Sequence, residues 1–166
     1  MNIRNVRVLD ALVLRFRAGE YRSATVMEPI SYAWTDDAGD QSLTVKAGTR
    51  YNGVGPGNSA FIWLLEFVVQ RWRRAMIAAL PHDEAFETRF DRTIPDVKAA
   101  RKYADQLFLA LLVAVGPQIE RGKGTLRFIS SALDRSCWIA RAHAMYRAVR
   151  WFGAGTWNAH DPDFRN

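Results

Sequence analysis

Short apolar runs broken by polar turns fill the first fifty residues, and from Asn58 onward apolar positions recur with a helical period. Val13, Leu14 and Phe16 lie among basic residues, and the runs Tyr21 to Val26 and Ile30 to Trp34 follow. These are rich in Tyr, Val, Ile and Thr, the residues that suit a pleated strand. Asp36-Asp37-Ala38-Gly39-Asp40 is a turn cluster that predicts a hairpin closing onto Ser42 to Val45. Lys46-Ala47-Gly48 ends that strand and hands over to a glycine-rich loop, Tyr51 to Asn58. Three or four strands in one small antiparallel sheet fit this segment.

The second part predicts helices. Asn58 or Ser59 can cap a short one through Phe61, Trp63, Leu64 and Phe67. A second helix runs from about Arg71 to Arg89, and Pro81 requires it either to kink or to restart there. Thr93-Ile94-Pro95-Asp96 starts a third, Asp96 to Val115, which Gly116-Pro117 stops. Its inner stripe is Val97, Ala100, Ala104, Phe108, Leu111 and Val115. Gly122-Lys123-Gly124 is a break. A last helix then covers roughly Asp134 to Phe152, with Trp138, Ala142, Met145, Val149 and Phe152 on one face. Gly153-Ala154-Gly155 ends it, leaving a polar tail over 154–166. The expectation is α+β: a small N-terminal antiparallel sheet (1–50), a glycine-rich loop (51–58) and a bundle of three to four helices (59–153) in one domain, 1–166.

Composition changes this picture little. At 166 residues, 49% apolar and 24% charged, the chain is long enough for one core and shows no sign of wholesale disorder. Cys137 is the only cysteine, so an internal disulfide and a thiolate metal cluster are excluded. The longest apolar run, Leu107 to Val115, is far short of the roughly 20 residues of a membrane span. Arg4, Arg7, Asp10 and Arg15 interrupt the N-terminus, so it does not read as a secretory signal. The net charge of +6 favours anionic partners: a membrane surface, an acidic protein, or nucleic acid. No recognition motif supports nucleic acid. Arg135, Arg141, Arg147 and Arg150 give the last helix a basic exposure, either a solvated face or one turned to a membrane or subunit.

The candidate chemistry centres on His82-Asp83, with Asp105 23 residues further on. Two antiparallel helices joined through 91–96 would bring His82 and Asp105 to similar heights. A carboxylate on one ring nitrogen fixes the imidazole tautomer and leaves the other nitrogen as a base. The glycine-rich loop allows several carbonyls to converge, and with the Asp83 carboxylate it would suit Ca²⁺, which takes oxygen ligands. A tight strand-to-helix crossover explains the same glycines. His143 and Cys137 do not share a face, and His160-Asp161 repeats the dipeptide in the polar tail; neither makes a site. Trp63 and Trp72 read as core.

Two resemblances follow from these residues. The order Tyr51-x-Gly53-x-Gly55, His82-Asp83-x-x-Phe86 and Ala104-Asp105-x-x-Phe108 resembles the secreted-type phospholipase A₂ superfamily, above all its cysteine-free branch in parvovirus capsids. That resemblance implies that His82 activates water and Asp105 orients it. It also implies Ca²⁺ held by Asp83 and the main-chain carbonyls of Tyr51, Gly53 and Gly55, with the sn-2 ester of glycerophospholipids as substrate. A longer stretch, roughly Leu43 to Trp157, is similar to a phage and prophage family called domain of unknown function 1353. It carries Arg74-Ala75, His82-Asp83, Arg101-x-x-x-Asp105-x-x-Phe108 and Met145-Tyr146-x-Ala148-Val149-Arg150-x-Phe152-Gly153. That family's loop reads Thr-Asp-x-Ala-Ser-x-Pro; here Asn52 and Gly55 replace the Asp and Ser, and Pro56 is kept. The similarity implies a phage-encoded protein found in the virion or the host cytoplasm. The two functions to weigh are a hydrolase acting at a phospholipid surface and a non-enzymatic tail or neck component contacting other virion proteins.

Overall fold

The computed structural model describes residues 2–17, 20–51, 73–88, 96–120 and 124–159. In chain order these form β1 (Arg4–Val8), β2 (Leu14–Arg17), β3 (Glu20–Val26), β4 (Ile30–Asp36), β5 (Gly39–Val45) and β6 (Arg50–Tyr51), then α1 (Arg73–Thr88), α2 (Val97–Ala114) and α3 (Thr125–Ala159). The expected α+β order holds. The strands, however, make two antiparallel sheets rather than one, β1-β4-β5 and β2-β3-β6. Pro29 stands between β3 and β4 and has no amide for a ladder, so the chain changes sheet there. Gly48 N donates to Val26 O (2.7 Å) and Val26 N to Thr49 O (3.0 Å), which carries the β3–β6 pairing back into the turn that follows β5.

The β4–β5 hairpin turns at Asp37-Ala38, with Gly39 at φ 118°. Asp36 Oδ1 accepts from the Ala38 amide at 2.8 Å, an Asx turn that supports the reversal. Along β4 burial alternates strictly, and Ile30, Tyr32, Trp34 and Asp36 face the helices. Asp36 is tolerated inside because Tyr103 of α2 donates its hydroxyl to Oδ2 at 2.6 Å, while Trp34 Nε1 donates to that same hydroxyl at 2.7 Å. This chain of hydrogen bonds ties the hairpin to α2.

Pro81 lies inside α1, and the helix runs through it. Proline has no amide, so the carbonyl four residues back, that of Ile77, loses its helical donor. Tyr32 on β4 supplies one, its hydroxyl reaching Ile77 O at 2.9 Å. Burial pushes the Tyr32 phenol well above its ordinary range, so it stays a donor.

Helix α2 starts on Asp96, whose carboxylate accepts from Lys98 N at 3.0 Å, and stops with Val115 as C-cap. Its inner face carries Ala100, Ala104, Phe108 and Leu111 as expected, and adds Tyr103, Asp105, Leu107 and Leu112. Arg135 of α3 reaches across to the end of α2, donating to Val113 O (2.7 Å) and Pro117 O (3.3 Å). It caps a helix and does not form part of a solvated stripe. Trp138 Nε1 donates to Leu112 O at 2.6 Å beside it. A Cβ on Gly116 would overlap both the Trp138 indole and the Arg135 guanidinium, so this close crossing needs glycine.

Helix α3 departs most from expectation. It begins at Thr125, nine residues before Asp134, and continues through Gly153-Ala154-Gly155 to Ala159. Glycine inside a helix costs only about 1 kcal/mol relative to alanine, and neither Gly153 nor Gly155 takes the left-handed backbone of a helix-ending glycine. Trp138, Ala142 and Met145 are buried as expected. The short helix expected at Asn58 to Phe67, Trp63, Trp72, the loop 52–58 and His160-Asp161 lie outside the described residues.

Candidate functional site

His82 is nearly central in α1, and Asp105 faces it from α2. His82 lies six residues before Thr88 and Asp105 eight after Val97, so an antiparallel pair brings them level. The imidazole Nε2 lies 2.9 Å from Asp105 Oδ1. Phe108, one turn along α2, sets its ring 5.2 Å from the imidazole at 47° and forms an apolar wall. The His82 side chain is 10% exposed and that of Asp105 is fully buried, so the contact is shielded from solvent.

The second oxygen of Asp105 is also engaged. Arg150 of α3 donates through Nη1 to Oδ2 at 2.8 Å. Arg101, one turn before Asp105 on α2, holds Nε 3.8 Å from Oδ2 and donates through Nη2 to the carbonyls of Val149 (3.2 Å) and Arg150 (2.6 Å). Its Nε is buried without a hydrogen-bond partner. Burial lowers the Arg101 pKa, Asp105 opposes this, and the Arg150 charge adds to the lowering. One carboxylate thus gathers His82, Arg101 and Arg150 from three helices.

His82 Nδ1 points along the other edge of the ring, 3.8 Å from Asp83 Oδ1. The Asp83 side chain is 36% exposed, so this edge leads toward solvent. Burial alone would lower the His82 pKa. The hydrogen bond to Asp105 and the neighbouring Asp83 carboxylate, with their charges, outweigh it and hold the imidazole above its ordinary value. Burial raises the Asp83 carboxyl above the usual range, opposed by the imidazole.

Of the residues picked out by sequence, the structure brings His82, Asp83 and Asp105 together. Tyr51 closes β6, with its main chain paired to Ala24 of β3, and Gly53 and Gly55 lie outside the described residues. Of the four expected calcium ligands, Tyr51 and Asp83 lie among the described residues, where no three His, Cys, Asp or Glu side chains gather as a metal set. Sequence reasoning missed the part played by Arg150, which it assigned to a basic face. Nothing in its local sequence marked it, because its partner sits 45 residues away.

An Asp105 carboxylate on Nε2 favours the tautomer with hydrogen at Nε2 and a basic Nδ1. The arginines draw negative charge from the far oxygen, so the carboxylate orients the ring more than it activates it. No helix among the described residues is long and apolar enough to cross a membrane. Comparison with family models, with curated proteins and with solved structures returns no match for this chain.

Proposed function

We propose that this chain is a phage-encoded, phospholipase A₂-like hydrolase that cleaves phospholipid esters with Ca²⁺. The observation that carries the reading is the His82 Nε2 to Asp105 contact at 2.9 Å, which leaves the Nδ1 edge toward the partly exposed Asp83. In this reading His82 Nδ1 takes a proton from water, and the hydroxide adds to the ester carbonyl carbon. Collapse of the tetrahedral adduct breaks the acyl–oxygen bond, and the imidazolium returns the proton to the leaving alkoxide. Asp105 holds the ring and stabilises its charged form. Asp83, with the main-chain carbonyls of Tyr51, Gly53 and Gly55, would supply hard oxygen donors for Ca²⁺, which polarises the ester carbonyl when bound. Fatty-acid release from phospholipid vesicles tests this: it is expected with Ca²⁺, absent with chelator and absent in His82→Ala.

A second reading rests on Asp105 itself. Its two oxygens clasp three helices, a use that serves architecture as well as catalysis. On that reading the protein is a non-enzymatic virion component of the tail or neck, built on the same scaffold. Quantitative gels of purified particles would then show it at a fixed, symmetric copy number.

A further inference from the structure

Arg101 directs its guanidinium at partners that do not need it. Its Nη2 donates to the carbonyls of Val149 (3.2 Å) and Arg150 (2.6 Å). Both carbonyls lie inside α3, which runs on to Ala159, so the ladder amides of Gly153 and Ala154 already serve them. Arg101 takes up their second lone pairs. Arg135 is the contrast: its target, Val113 O, lies at the end of α2, where Pro117 has no amide to offer. The grip on α3 also leaves Arg101 Nε buried without a hydrogen-bond partner, 3.8 Å from Asp105 Oδ2. A side chain placed for stability alone would close that gap, since Asp105 stands one turn along the same helix.

What the grip fixes is the main chain of Arg150, the residue whose Nη1 holds Asp105 Oδ2 at 2.8 Å. The Arg150 side chain is long and 33% exposed, so water competes for it and many rotamers are open to it. Anchoring its backbone from α2 narrows that choice. Asp105 in turn presents Oδ1 to His82 Nε2 at 2.9 Å. We propose that Arg101 is a positioning residue for His82, acting through the Arg150 backbone and the Asp105 carboxylate. The contacts run from α2 to α3 and back to α2, one turn apart, and so fix the plane of the carboxylate that orients the ring. A positive charge near Asp105 could come from any cation. The fork that reaches two successive carbonyls belongs to arginine, and lysine would keep the charge without it. The catalytic consequence rests on the hydrolase reading; the orientation of the ring does not.

Nitrogen NMR of the imidazole in the full chain, at a pH where the ring is neutral, reads its tautomer directly. The wild type is expected to keep its hydrogen on Nε2. Arg101→Lys, checked for folding by circular dichroism, should lose that preference although the positive charge remains, and Arg101→Gln should show the same loss. In an Arg150→Met background Arg101→Lys should add nothing, because the intermediary is gone. Under the hydrolase reading, Arg101→Lys lowers kcat for fatty-acid release and leaves KM for the vesicles near that of the wild type. The ring readout needs no turnover, so failure of that reading would not be mistaken for failure of the positioning role. Folded Arg101→Lys and Arg101→Gln that keep the wild-type tautomer and lose only unfolding free energy would overturn the inference, leaving Arg101 a strut between helices. An equal tautomer change in the Arg150→Met background would overturn it too.

Discussion

Arg150 donates to the Asp105 oxygen that His82 does not use, at 2.8 Å. The carboxylate is therefore shared between a base and a cation, and its two duties can be separated by mutation. Removing the cation leaves more negative charge for the imidazole, so Arg150→Met should move the His82 titration upward, as followed by NMR of the ring protons. It should also cost about 1.5–3 kcal/mol in denaturant unfolding, the range for a hydrogen bond to a charged group. Asp105→Asn, which strands buried cations, should cost about 3–5 kcal/mol.

The raised pKa of His82 makes stability depend on pH in one direction. A group that binds its proton more tightly when folded stabilises the fold fully below its unfolded pKa of 6.5, and that contribution is lost as pH rises through the folded pKa. Unfolding free energies of the wild type and His82→Gln, measured from pH ~6 to pH ~9, should therefore converge as pH rises. A gap that widened with pH would contradict the assignment. In the hydrolase reading the same group sets the acid limb of the rate profile, above the ordinary imidazole range.

Tyr32 and Pro81 form a compensating pair. Tyr32→Phe leaves the Ile77 carbonyl without the donor that Pro81 has already denied it, at an expected cost of about 1–3 kcal/mol. In a Pro81→Ala background an amide returns at position 81, and the cost of Tyr32→Phe should shrink. Equal costs in the two backgrounds, read from a double-mutant cycle of unfolding free energies, would show that the two residues do not share the carbonyl.

The sequence was most legible where local chemistry decides structure. Asp96 and the Gly116-Pro117 stop bracket α2 within one residue, and Asp36 to Asp40 places the hairpin turn. It was least legible at α3, whose first turns bury nothing and so give no one-sided stripe. The division into two sheets was hidden too, because strand partners are set by pairing across the chain. At the site, adjacency revealed His82-Asp83 and helical spacing brought in Asp105. Arg150 stayed hidden because only the packing of α3 on α2 brings it there, and the carbonyl that Pro81 leaves without a donor, that of Ile77, is satisfied by a tyrosine 45 residues earlier in sequence.

The most direct test of the central claim is fatty-acid release from phospholipid vesicles, measured in parallel for the wild type, His82→Gln, Asp105→Asn and Asp83→Asn, each checked for folding by circular dichroism. The proposed hydrolase reading of His82 predicts release by the wild type with Ca²⁺ and none by folded His82→Gln. It also predicts a shift to higher Ca²⁺ requirement, or loss, in Asp83→Asn. No release from folded wild-type protein at millimolar Ca²⁺, or release that His82→Gln leaves intact, would contradict it.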